Sequence, residues 1–170
     1  MRKIDTIVLH HSVTPQNWNI TKTLSVIDKE HKKDHPHKNG AGYHISYHFC
    51  IFPSGEVIDT RPVNEVGFHA GNYPVNLVSI GVCLIGNFEN DLPTEKQSSA
   101  LKSLLKSLIA QYGIKPENIK LHKEVRLNPT ACPGKNVTHE YIDSLLKQKP
   151  SMKTRLIRSA RALRLRLRNK

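Results

Sequence analysis

No run of this 170-residue chain approaches the roughly 20 apolar residues that a membrane span needs. The opening Met1-Arg2-Lys3-Ile4-Asp5-Thr6 carries charge but neither an apolar stretch nor a small-residue cleavage site. No signal peptide is therefore expected, and synthesis in the cytoplasm is. Cysteine is scarce: Cys50, Cys83 and Cys132 cannot all pair with one another, and no C-x-x-C spacing occurs. Cys50 and Cys83 sit inside apolar, strand-like runs and read as buried small hydrophobes. Acid is missing from residues 151–170, which hold eight Lys and Arg. Residues 1–150 keep 18 Lys and Arg against 14 Asp and Glu, so the basic character belongs mostly to the end of the chain.

What is present divides into a body, 1–150, and a tail, 151–170. In the tail, Leu156, Ala160, Leu163 and Leu167 recur as one helical stripe, with Arg158, Arg161 and Arg168 away from it. A basic amphipathic helix suits an anionic surface, here an outer membrane or another lipid face. A nucleic-acid contact is the rival reading, and a solubilising end is the plain one.

The body is long enough for one domain with a real core, expected to act as a monomer. Ile4–Leu9 reads as a short buried strand that delivers His10 and His11 at its end. Neighbouring strand residues face opposite sides, so only one of the two can point into a shared site. Asn19 leads into a helix with Leu24, Ile27 and His31 on its inner face, which dissolves into a His-rich polar loop. Two strands follow, Ile45–Phe52 and Glu56–Thr60, joined by the hairpin signal Pro53-Ser54-Gly55. Val78–Ile85 is apolar without alternation and reads as a central strand covered on both faces. Thr94 and Gln97 form a capping box that opens the longest helix, with Leu101, Leu104, Leu105, Leu108 and Tyr112 inward and Gly113 as its stop. Ile119–Leu121 is a short strand, and His139–Leu146 a last helix. Interleaved strands and helices make an α/β domain with a central mixed sheet flanked by helices.

Chemistry concentrates in His122-Lys-Glu-Val-Arg-Leu-Asn-Pro-Thr-Ala-Cys-Pro-Gly134. A histidine and a cysteine stand ten residues apart around Asn128-Pro129, a pair that favours a turn. Zinc accepts imidazole and thiolate together, and a loop of this size can fold both onto one ion. A surface loop with an ordinary histidine and a buried thiol is the plain alternative. A histidine from the end of the first strand would complete a His-His-Cys set with one position open, the pattern of a catalytic zinc.

Six segments occur in order: His10-His11-Ser12, Ser46-Tyr47-His48-Phe49, His69-Ala70-Gly71, Asn76 through Val82, Gly86-Asn87-Phe88, and His122 followed by Thr130-Ala131-Cys132-Pro133-Gly134. Together they resemble the zinc-dependent N-acetylmuramoyl-L-alanine amidases of the type-2 family, shared by phage lysozymes of the amidase kind and peptidoglycan recognition proteins. The resemblance covers roughly residues 4–148 and leaves the tail outside. It implies zinc held by His10, His122 and Cys132, with Tyr47 and Thr130 as catalytic donors. It also implies peptidoglycan as partner, cleaved between N-acetylmuramic acid and L-alanine. His48 and His69 are expected to contact substrate; Asn76 either does the same or, the favoured reading, holds its own loop. Two departures stand out. The His122–Cys132 interval is about two residues longer than is usual in the family. The glutamate base that some relatives carry in the central strand is replaced by Cys83.

The absent signal peptide and single domain suit a phage or prophage endolysin that reaches the wall after release from the cytoplasm. Recognition proteins of this fold can also bind peptidoglycan without cutting it, typically when the cysteine ligand is lost. A nucleic-acid or polymerase-binding regulator is the further alternative.

Overall fold

The computed structural model describes residues 2–147. The boundary at 150 and the tail 151–170 lie outside the described residues. Five strands form one mixed sheet: β1 (Thr6–His11), β2 (Phe49–Ile51), β3 (Val57–Asp59), β4 (Ser79–Leu84) and β5 (Ile119–Leu121), in the order β3-β2-β4-β1-β5. All neighbouring pairs are parallel except the β2–β3 hairpin. The helices are α1 (Ile20–Asp34), α2 (Tyr73–Val78), α3 (Glu95–Tyr112), α4 (His122–Val125) and α5 (His139–Lys147).

The sheet buries both faces. Ile7 and Leu9 of β1 join Ile80, Val82 and Leu84 of β4 in a core with Leu101, Leu105 and Leu108 of α3 and Ile142 and Leu145 of α5. On the other face, Leu24 and Ile27 of α1 pack with Cys50, Cys83 and Ile85. Each fully buried aliphatic side chain contributes about 1.5–3 kcal/mol relative to exposure. Cys50 and Cys83 behave as the small hydrophobes their apolar surroundings suggested, both wholly buried.

Local signals explain most boundaries. Asn19 caps α1 by accepting from Lys22 N–H at 2.8 Å. Gly113 ends α3 with φ of 66°, a conformation that costs a glycine least. Thr94 caps α3 through Gln97 N–H at 3.1 Å, but the expected reciprocal half of the box is absent. Instead the Gln97 side chain donates to the Ile51 and Ile85 carbonyls, tying α3 to the ends of β2 and β4.

Two expectations are corrected. The strand expected over Ile45–Phe52 is regular only from Phe49 to Ile51. Upstream, side chains take the backbone groups that a ladder would use: Asn39 and Arg61 donate to the Ile45 carbonyl, and Ser46 N–H donates to His31 Nδ1. The segment before β4 is a short helix, α2, with Pro74 in its first turn, and the strand starts one residue later than the apolar run.

Candidate metal centre

The sheet register brings the chemistry together. His10 of β1 pairs with Cys83 of β4, and Cys83 pairs with Cys50 of β2. Leu9 pairs with Leu121 on the other side, so His122 follows directly beside His10 as β5 turns into α4. Cys132 closes the cluster from its loop, whose ends are tied by Lys123 N–H donating to the Cys132 carbonyl at 2.9 Å. One ligand atom each from His10, His122 and Cys132 lies within 4.8 Å of the others. His10 Nδ1 is 3.8 Å from Cys132 Sγ, and the His10 and His122 ring centres are 4.3 Å apart. Tetrahedral zinc separates such ligands by about 3.5 Å.

The donor set fits the metal on independent grounds. Neither buried ring nitrogen of His122 makes a hydrogen bond of good geometry among the described residues; the Ala70 backbone can hold the ring's proton, and the remaining lone pair is left unmet, a costly state unless something takes it. Burial pushes the Cys132 thiol up to about 11, against the lowering pull of His11 N–H and Arg126. A divalent cation reverses that balance, because a coordinating thiol is deprotonated outright.

His11 turns to the opposite face, as strand alternation requires. Its Nδ1 accepts from Phe88 N–H at 3.2 Å, while its own backbone N–H points at Cys132 Sγ at 3.4 Å. His10 is therefore the member of the pair in the cluster.

Tyr47 stands at the centre, partly exposed, with its ring 5.0 Å from that of His10. Burial, then the nearby thiols of Cys83, Cys132 and Cys50, hold its phenol well above the usual value, so it stays an O–H donor. Thr130 is half-buried, and its hydroxyl accepts from Cys132 N–H at 3.2 Å, which stiffens the ligand loop.

The three expected substrate contacts are not on the cleft surface. His69 is buried behind His10, its Nδ1 3.0 Å from His10 Nε2. Asn76 accepts from the backbone N–H groups of His69 and Ala70, holding their loop. His48 is wholly buried, accepting from Gly81 N–H at Nδ1 and donating from Nε2 to the Glu65 carbonyl. In this structure the polar atoms of all three side chains are engaged within the scaffold, the role that the sequence already favoured for Asn76.

Residues with no assigned part join the site. His31, on the inner stripe of α1, lies 5.1 Å ring to ring from Tyr47 and accepts from Ser46 N–H. Arg126 belongs to the lengthened loop. Its side chain lies over Gly71 (φ 60°), where an added Cβ would come within 2.8 Å of Arg126 Cγ. Burial is the main influence on both His122 and Cys132, and the positive charge of the exposed Arg126 adds a smaller downward pull on each. Among the described residues no carboxylate pairs with it. The extra loop length was the only sequence signal for it.

The histidines of this region are held neutral, chiefly by burial. His31 and His122 are pushed down to about 4 and His48 to about 3, while His10 and His69 lie well below 6.5. Unfolded histidine titrates near about 6.5. Between that value and about 4, the unfolded chain takes up protons that the native state refuses, so stability falls as pH drops through this window. The urea midpoint of metal-free protein is expected to fall steadily from pH 7 to pH 5 and to change little between pH 7 and 8. A flat midpoint down to pH 5 would contradict the buried neutral cluster.

A sheet of this order with a His-His-Cys cluster drawn from the end of β1, the turn after β5 and a following loop defines a class, and comparison names it. Residues 1–135 match the family described as N-acetylmuramoyl-L-alanine amidase, and the chain belongs to that family. Among solved structures it is similar to the N-acetylmuramoyl-L-alanine amidase LysC from Clostridium intestinale, with TM-score 0.69 and 34% identity over 87% of this chain and 88% of that one. It is also similar to a mutant of Drosophila PGRP-LB in complex with tracheal cytotoxin, with TM-score 0.67 and 26% identity over 82% of this chain and 80% of that one. Peptidoglycan-recognition protein SC2 of Drosophila melanogaster is 31% identical over 134 residues, 78% of this chain and 70% of that protein.

Proposed function

We propose that this chain is a zinc-dependent amidase that hydrolyses the bond between N-acetylmuramic acid and the L-alanine of the stem peptide. The observation that carries the reading is the intact ligand set, His10, His122 and Cys132, gathered beside a partly exposed tyrosine. When bound there, zinc supplies Lewis acidity and lowers the pKa of water toward about 7. The residues of the chain do the rest. Tyr47 donates its O–H to the oxygen on which charge develops, and the Thr130 hydroxyl can add a second donor while holding the ligand loop. The ligand set contains no carboxylate, and the strand position of a glutamate base holds a buried thiol, Cys83. The departing amine therefore draws its proton from the attacking water by way of Tyr47, or from solvent. A PGRP-LB mutant and PGRP-LE each form a complex with tracheal cytotoxin, a monomeric diaminopimelic acid-type peptidoglycan, which supports a wall partner.

The test is digestion of purified peptidoglycan with and without a zinc chelator, scoring new L-alanine N-termini against new reducing ends. Chelator-sensitive amine release without reducing ends is the expected result. Sedimentation with the wall but no release would make the chain a binding module, the second reading that its recognition-protein relatives support.

Arg126 is placed to hold an anionic group of the stem peptide. Its replacement by alanine is expected to raise KM about 10-fold with kcat little changed, the low end for a charge-assisted bond at an exposed site. Steady-state kinetics on a soluble muropeptide checks the split.

The setting we propose is that of an endolysin, made in the cytoplasm and meeting the wall after release, with residues 151–170 acting on an anionic outer membrane. Deleting that segment is expected to abolish killing of intact cells from outside while sparing lysis of purified wall. Equal killing with and without it removes the membrane role.

A further inference from the structure

Behind the metal cluster lies a second line of polar groups with no part in the chemistry above. His10 Nε2 faces His69 Nδ1 at 3.0 Å, and His69 Nε2 faces the Ser79 hydroxyl at 3.4 Å. All three residues are buried. The fold is shaped around the His69 ring: a Cβ added to Gly81 of β4 would come within 2.5 Å of it. Asn76 fixes the backbone beneath it by accepting from the N–H groups of His69 and Ala70 at 3.1 and 2.9 Å. A ring held this firmly presents its Nδ1 to one place only.

The direction of these bonds follows from elementary chemistry. A neutral imidazole has one N–H and one lone pair. His10 has its Nδ1 toward Cys132 Sγ, so only that nitrogen can serve the metal, and it must carry the lone pair. The proton then sits on Nε2 and donates to His69 Nδ1. That fixes the proton of His69 on its own Nε2, from which it donates to Ser79 Oγ. Ligating histidines commonly have such a partner on the second nitrogen, and losing it lowers metal affinity about 10–100-fold.

We infer that His69, oriented by Ser79, is a positioning residue that sets the tautomer of His10 and so presents Nδ1 to zinc. The inference rests on the proposed metal reading, but it can be measured separately from it. In the metal-free full chain, ¹⁵N shifts of the His10 ring should place the proton on Nε2. His69→Leu should leave a mixture of tautomers. His69→Asn puts an amide oxygen near the position of Nδ1 and should restore the wild-type pattern. His69→Gln reaches past that position and should behave like His69→Leu.

Zinc affinity by chelator competition should follow the same order. His69→Asn should stay within about 3-fold of wild type, and His69→Leu and His69→Gln should lose about 10–100-fold. A purely packing role predicts a different order, in which the three variants track their metal-free unfolding midpoints. Unchanged His10 tautomers in His69→Leu, or equal zinc affinity in all variants, would overturn the inference. If wild type binds no zinc yet the tautomers shift as described, the metal reading fails and the positioning of His10 stands.

Discussion

Replacing Cys132 by serine is expected to abolish zinc-dependent hydrolysis while leaving the metal-free fold nearly intact. Sγ has few obligations within the fold: it accepts one N–H, from His11, and a serine oxygen can do the same. The residue is partly exposed and serine is nearly the same size, so the change leaves no closed cavity. What is lost is the thiolate. A missing ligand should weaken zinc by more than the about 10–100-fold that a lost outer partner costs. Zinc bound to the native state alone stabilises it by about 2.7 kcal/mol when free metal is 100 times its dissociation constant. The wild type should therefore show a thermal midpoint that rises with zinc and falls with chelator. The Cys132→Ser protein should sit at the metal-free midpoint under both conditions. A zinc-dependent shift of wild-type size in the variant would remove Cys132 from the ligand set.

The contrast with Cys83 sharpens that experiment. Cys83 shares the rung of His10, and burial together with Cys50 pushes its thiol well above the usual range. It has the right chemistry but lies within an apolar cluster, packed with Leu24 and Ile27. Cys83→Ala should lower stability and leave the zinc-dependent rise in midpoint in place.

Strand alternation made half of this site legible before any coordinates. It required that only one of His10 and His11 enter a shared cluster, and the family motifs pointed to His10. The ligand loop was legible because His and Cys side chains carry their chemistry with them. What sequence could not give was depth. His48, His69 and Asn76 have the side chains of substrate contacts, but burial is not written in them: Gly81 and Gly67 leave room for the ring of His69 inside the fold. The strand end at 45–48 failed for a related reason. At Ile45 and Ser46 the backbone groups are satisfied by the side chains of Asn39, Arg61 and His31, and no alternation of apolar and polar residues encodes those bonds.

Removing the Tyr47 hydroxyl should separate catalysis from metal binding. Tyr47 lies outside the His10, His122 and Cys132 set, and its ring packs between those of His10 and His31 at 5.0 and 5.1 Å. Tyr47→Phe keeps that packing, so zinc affinity and the zinc-dependent midpoint should match wild type. The lost group is a donor held neutral by burial and the surrounding thiols, ready to meet developing negative charge without first losing water. Donors of this kind are worth about 10²–10³ in kcat. The expected result is a fall of that size in kcat, with KM for a soluble muropeptide within a few-fold. A different outcome would move the role of Tyr47. If kcat holds and KM rises strongly, the phenol grips substrate in the ground state and Thr130 becomes the donor to remove next. If zinc affinity falls with kcat, the hydroxyl is supporting the ligands. A clean loss of kcat leaves it aimed at the transition state.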